Sequence, residues 1–120
     1  MTLMNPTITE VRETTKEKIL ELFTHVAFGT GTFPGDSGQT ALDNETVTKA
    51  RFEYSELTNS VIVSAFIPAN EQNSTTIKEA GAKDGSTGTL QSGKALTEFD
   101  KTSTKEFWVD NEVELVLTQS

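Results

Sequence analysis

The sequence predicts a mainly β protein, an antiparallel β-sandwich with one N-terminal amphipathic α-helix. Three observations predict it. Val61 to Ile67 is the most apolar run in the chain and is rich in β-branched and aromatic residues, so it reads as a strand with both faces buried. The C-terminal segment alternates apolar and acidic residues from Phe107 onward, which is the period of a half-buried strand. Only residues 7–23 follow a helical period. At 120 residues the chain is a single domain, with the helix at about 8–23 and the β-sandwich at about 25–118.

Bulk composition narrows the function classes. Hydrophobic content is 34% while Gly, Ser, Thr and Asn are abundant, which suits a sheet protein with long polar loops or one that completes its core against neighbouring subunits. Eighteen acidic residues against ten basic ones give a net charge of −8, with no Lys/Arg cluster. That balance argues against nucleic acid and against an anionic membrane surface. The absence of cysteine excludes disulfides, thiolate metal sites and Cys nucleophiles. No apolar run approaches the roughly 18 residues of a membrane-spanning helix. Met-Thr-Leu-Met-Asn-Pro lacks the basic and apolar parts of a signal peptide, so export by the usual secretory route is not expected.

Taken in order, Thr7 and Glu10 form a capping box, and Thr14 with Glu17 offers a later start. Ile8, Val11, Thr15, Ile19 and Leu22 fall on one helical face, widened by Leu20 and Phe23. Glu10, Glu13, Lys16, Glu17 and Glu21 are assigned to the wet face. His25–Gly29 is a short strand that runs into the Gly- and Pro-rich loop Gly29–Gly38. Val47 to Leu57 reads as one long strand, with Ala50, Phe52 and Tyr54 on one face, joined by Leu57-Thr58-Asn59 to the Val61–Ile67 strand. Pro68 closes that strand. After a polar loop, Thr75 to Lys83 is extended, with Gly81 allowing a sharp bend or positive φ. Asp84–Gly88 is a hairpin turn, Thr89–Leu96 the returning strand with a bulge or edge at Gly93, and Glu98–Thr104 a polar connection. In the last strand Phe107, Val109, Val113, Leu115 and Leu117 face the core. Trp108 and Val116 break the polarity of its acidic face, and Trp108 there suggests contact with another element or subunit.

Catalytic chemistry finds little footing. His25 is the lone histidine and reads as structural rather than as the base of a triad. No carboxylate pair stands out for acid–base work. Gly88-Thr-Leu-Gln-Ser-Gly-Lys94 matches the start of a phosphate-binding loop, but Ala95 replaces the required Ser or Thr and no helix follows. Gly29-Thr-Gly31 lacks the third glycine of a dinucleotide fingerprint. Asp36, Asp43 and Asn44 do not match the spacing of a Ca²⁺ loop. The sequons at Asn44 and Asn73 are read as coincidental without an export signal. The chain is therefore read as a non-enzyme with no cofactor and no metal.

A pattern does emerge across the segments. Val26-Ala-Phe-Gly-Thr-Gly-Thr32, then Thr40-Ala-Leu-Asp-Asn-Glu45, an Arg-containing strand, Val61–Ile67, Asn73-Ser-Thr-Thr-Ile-Lys-Glu-Ala-Gly81, Gly88-Thr-Leu90 and Phe99-Asp-Lys-Thr102 follow one another in order. Together they resemble the tail-fibre and tail-collar-fibre domains of tailed bacteriophages, over about Thr9 to Thr118. Ala82-Lys83 departs from the family, which usually carries Leu or Ile and Phe there, and no trimeric shaft is present. The resemblance implies a structural virion protein without catalysis that assembles as a homo-oligomer, a trimer, and contacts other virion proteins. It suits a collar, baseplate, tail-tip or head-decorating subunit located in the virion. Interface is expected on the helix, the Gly29–Gly38 loop and the C-terminal strand, at Val11, Ile19, Leu22, Phe33 and Trp108. The alternatives are a receptor- or carbohydrate-binding module that stacks sugars on Phe33, Tyr54 and Trp108, or a capsid, head-decorating or head-fibre protein.

Overall fold

A computed structural model describes residues 8–35, 38–86 and 88–115. The predicted N-cap Thr7, the side chain of Ile8, Asp36, and the Val116–Leu117 end of the last alternation lie outside the described residues. The architecture is mainly β, half strand by residue with 13% helix, in two antiparallel sheets and one helix. The helix α1 spans Ile8–Leu22. The strands are β1 (His25–Gly29), β2 (Glu45–Ala50), β3 (Glu53–Glu56), β4 (Ser60–Ile67), β5 (Thr75–Lys83), β6 (Leu90–Lys101) and β7 (Phe107–Glu114). One sheet has the order β2-β1-β5-β6 and the other β3-β4-β7.

The core lies between the sheets and follows period-2 alternation. Val26 and Phe28 of β1, Ile77, Ala80 and Ala82 of β5, and Val61, Val63, Ala65 and Ile67 of β4 form one buried cluster. Phe107, Val109 and Val113 of β7 close it from the side, and Phe107 meets Phe28 edge-on at 6.0 Å between ring centres. The helix presents Ile19, Leu20 and Leu22 to this cluster, and Phe23 just beyond it is buried. An isolated helix of this length is marginal in water, so packing on the core rather than propensity holds α1. Lys16 departs from its predicted wet face. It is 4% exposed, its Nζ donates to Leu57 O at 2.9 Å and pairs with Glu13 at 3.1 Å, and it thereby ties the helix to the β3–β4 turn.

The predicted Val47–Leu57 strand is two strands. The run leaves the first sheet at Ala50 and joins the second at Glu53. Arg51 explains the break. Its backbone N–H donates to Thr24 O, and its guanidinium reaches Leu20 O at 2.6 Å and Phe23 O at 3.4 Å, satisfying carbonyls at the end of α1. Phe52 N–H then pairs with Ser64 O in the other sheet. The chain thus changes sheets between Arg51, which serves the end of α1, and Phe52, which pairs with β4.

Three further readings change. Strand β6 continues through Glu98 to Lys101, where a polar connection is predicted, because Phe99 pairs with Ile77 and packs against Phe107, the rings tilted by 30° with centres 4.5 Å apart. Irregular register flanks Gly93 on both sides, while Gly93 itself stays in register opposite Gly81 on what is an edge strand. Gly81 neither bends the chain nor takes a positive φ; it sits mid-strand, where an added Cβ would meet Leu90 Cδ1 at 2.4 Å and Ser92 O at 2.5 Å. Strand β4 is buried on its inner face, whereas Ile62 and Phe66 are only half-buried on the outer one.

Candidate functional site

Three of the segments singled out in the sequence, Val26–Thr32, Thr40–Glu45 and Asn73–Gly81, converge on one buried carboxylate. Glu79 points to the outer face of the four-stranded sheet and is fully buried. Its Oε1 accepts from Asp43 N–H at 2.8 Å, and its Oε2 accepts from Asn44 N–H at 2.8 Å and Gly31 N–H at 2.9 Å. A buried acid needs such partners, and backbone N–H groups supply them without a counter-ion. Gly29 and Gly31 are required by this contact. A Cβ at Gly29 would lie 2.6 Å from Glu79 Oε2, and one at Gly31 would lie 2.3 Å from Asp43 Oδ2. Asp43 Oδ2 accepts from Thr32 N–H, and Asn44 Nδ2 donates to Thr30 Oγ1 at 2.7 Å. The carboxylate therefore closes the loop between β1 and β2 upon itself, and the chemistry it performs is structural.

The same loop covers a row of small residues. Ala27, Gly81 and Gly93 stand side by side across β1, β5 and β6. Phe33 and Leu42 fold back over this row and, with Ala27 and Leu90, form a second apolar cluster. The Phe33 ring rests on Gly93, whose Cβ would come 2.6 Å from Phe33 Cζ. Gly93→Ala is expected to cost about 1–2 kcal/mol in a denaturant melt through overpacking. Phe33→Leu should recover part of that loss in the double variant, which a mutant cycle measures.

Other turns are held the same way. Lys101 is 1% exposed, and its Nζ donates to Ala69 O at 2.9 Å and Thr102 O at 2.8 Å. Lys83 Nζ pairs with Glu45 at 3.1 Å and reaches Ser86 O in the β5–β6 turn. Lys49 pairs with Glu71, tying β2 to the Pro68–Ser74 loop. Gln72 and Ser74 in that loop hold positive φ, a strained state that the Lys101 contacts sustain.

The second feature is the outer face of the three-stranded sheet. Phe66 of β4 stacks on Trp108 of β7 at 4.5 Å, and Phe52 meets both rings edge-on at 5.3 and 5.4 Å. Phe52 is 60% and Trp108 44% exposed. Along β7 the outward row continues as Asp110, Glu112 and Glu114, all exposed. Ser64 Oγ donates to Asp110 at 2.7 Å and Ser60 Oγ to Glu112 at 2.9 Å, so two of the three carboxylates are held in place from β4.

The predicted site residues fall in different places. Ile19 and Leu22 pack on the chain's own core, and Phe33 packs on Gly93. Val11 is half-buried, and its carbonyl accepts from Thr15 Oγ1. Trp108 alone of the five stands on an open face. Tyr54 is exposed, with the Arg51 guanidinium 4.9 Å from its ring centre. His25 is half-buried, its Nδ1 2.9 Å from Thr24 Oγ1, which also accepts from Gly85 N–H. Gly88–Lys94 runs from a turn into β6, with no helix to form a phosphate cradle. Among the described residues, no group of three His, Cys, Asp or Glu side chains is placed to hold a metal ion. No helix is long and apolar enough to cross a membrane among those residues. No protein-family model, curated protein or solved structure matches the chain.

Proposed function

We propose that this chain is a structural subunit of a tailed-virus particle, in a tail fibre, collar, baseplate or tail tip, and that it works by protein–protein assembly. The observation that carries assembly is the Phe52–Phe66–Trp108 cluster on an outward sheet face. Exposed large aromatics gathered in one patch favour a covering surface, since their burial contributes far more than that of scattered residues. The virion reading comes from the resemblance. Its support in the fold is that Val26–Thr32, Thr40–Glu45 and Asn73–Gly81 form one interlocked unit around Glu79. The proposed state is a homotrimer bound to other virion proteins, without catalysis, metal or cofactor.

Sedimentation equilibrium on the purified chain tests the oligomer, with three times the 13.1 kDa chain mass as the expected result. A tagged copy should also co-purify with intact particles. A strict monomer that stays out of particles would overturn the proposal.

The same aromatic cluster favours one second reading, a carbohydrate-binding module, because an exposed indole can stack on a sugar ring. Specific glycan-array binding that is lost in Trp108→Ala would establish it in place of the first.

A further inference from the structure

We infer that the free edge of β7 is the docking site for an extended, arginine-bearing segment of another protein, which adds as a strand beside β7. This rests on the assembly reading above and names the chemistry of the partner.

Two independent features of the fold lead there. The first is the edge itself. Strand β7 is the last strand of its sheet, and its pairing with β4 runs unbroken from Phe107 to Glu114, with no register shift. Among the described residues no strand pairs with its other side. Natural edges are usually blunted by bulges, lysine or proline. Strand β6, the corresponding edge of the other sheet, carries two register shifts, whereas β7 carries none and has no Lys, Arg or Pro. An edge guarded only by acidic side chains offers backbone pairing to an incoming strand of opposite charge.

The second feature is the outward row. Trp108, Asp110, Glu112 and Glu114 repeat at every second residue, a spacing of about 6.8 Å. An added strand has the same repeat, so its alternate side chains fall beside this row. The outward positions of β3 and β4 contribute Glu53, Ser55, Ser60, Ile62, Ser64 and Phe66, none of them basic. The face is thus acidic with an aromatic end.

Charge decides the occupant. If two copies of β7 paired with each other antiparallel, Asp110 would stand opposite Glu112, or Glu112 opposite itself. Like charges directly opposed across strands are destabilising, so this edge disfavours a second copy. A basic strand reverses the sign at every pair. Arginine fits better than lysine, because its planar guanidinium binds a carboxylate with two parallel bonds and also stacks on an aromatic face. Ser60 and Ser64 already hold Glu112 and Asp110, which lowers the ordering cost of meeting such a partner.

Trp108 is the only tryptophan in the chain, so its emission reports directly on this face. The probe is a labelled, end-blocked peptide of alternating Arg and Thr with a Leu at one end, titrated into the full chain at low salt. Expected results are a rise in anisotropy and a blue shift of Trp108 emission. Affinity should fall at least about tenfold in 0.5 M salt, where the Debye length is only about 4 Å. Asp110→Asn with Glu112→Gln should weaken binding about tenfold or more, as expected for two charge-assisted contacts. Trp108→Ala, which leaves the net charge unchanged, should weaken it about fivefold or more, in line with loss of a stacking contact. The same peptide N-methylated at alternate backbone nitrogens on its pairing side should fail to bind, because it cannot join a ladder. Far-UV spectra establish that each variant is folded.

Equal binding by the peptide with Glu in place of Arg would overturn the inference. So would unchanged affinity in Trp108→Ala, which would mean diffuse attraction to an acidic protein. Concentration-dependent burial of Trp108 without peptide, with a matching rise in mass, would assign the edge to a second copy. A chain that forms trimers and enters particles yet ignores the Arg peptide would refute this inference and leave the assembly reading standing.

Discussion

Glu79→Ala is expected to destabilise the protein by roughly 4–5 kcal/mol, close to the upper range for a single substitution. The side chain is fully buried and accepts from three backbone N–H groups, those of Gly31, Asp43 and Asn44. Its removal strands all three, and each buried unsatisfied donor costs about 1–3 kcal/mol. Water entering the vacated space offsets part of that. The loss is a large fraction of a small domain's total stability of about 5–15 kcal/mol. Glu79→Gln keeps one oxygen and turns the other acceptor into a donor, so about half the loss is expected on the same per-donor figure. Urea titration measures both. Hydrogen exchange then localises the effect: the amides of Gly31, Asp43 and Asn44 should lose protection first, while those of β4 follow only global unfolding. Unchanged exchange at those three amides would show that the loop is held by something other than this carboxylate.

Lys101→Met is expected to cost about 2–4 kcal/mol, from hydrogen bonds to a charged donor worth about 1.5–3 kcal/mol each, less the released desolvation of the ammonium. Met matches the length of the stem and keeps its packing, so the change isolates the ammonium. Ala69 O and Thr102 O lose their partner. The Pro68–Ser74 loop carries Gln72 and Ser74 at φ of 54° and 64°, conformations that side chains other than glycine adopt at a cost. Without the Lys101 ammonium only the Lys49–Glu71 pair and the Ser74 N–H bond to the carbonyl of residue 101 still hold the loop, so it should open locally before the sandwich unfolds. Nuclear magnetic resonance line broadening confined to residues 69–74 and 101–102 is the expected signature. Gln72→Gly in the Met background should recover part of the stability by relieving the strain.

The elements legible in the sequence are those whose burial follows a simple period. Val61–Ile67, Thr75–Lys83 and the strand from Phe107 stand where alternation and β-branched content put them, and α1 stands where its apolar face puts it. The misread elements are those governed by one long polar side chain reaching another segment. Arg51 satisfies carbonyls of α1 and so divides a continuous alternating run into β2 and β3, which no local pattern announces. Lys16 follows the wet face of the helix by position yet stretches to Leu57 O. Glu98 is polar, but its strand persists because its neighbour Phe99 packs against Phe107. Of the candidate site, Trp108 was legible as an apolar intruder in an acidic row. Phe33 reads as an interface ring from sequence because the Gly93 that receives it lies sixty positions away. Glu79 had one available signal: an acid in a strand between Ile77 and Ala80, with glycines at 29 and 31 free to bring backbone to it.

The buried lysines also set how the chain meets a protease. A trypsin-like enzyme must draw a lysine side chain fully into its own specificity pocket. Lys16, Lys83 and Lys101 have their ammonium groups engaged inside the fold, whereas Lys18, Lys94 and Lys105 are exposed. Cleavage after Lys18, Lys94 or Lys105 therefore samples local fraying, while cleavage after Lys101 requires the Pro68–Ser74 loop to let go. The cut positions form a built-in record of which part of the chain has opened. A fragment ending at Lys101 marks a molecule whose loops have come undone, even while the overall strand content still looks native.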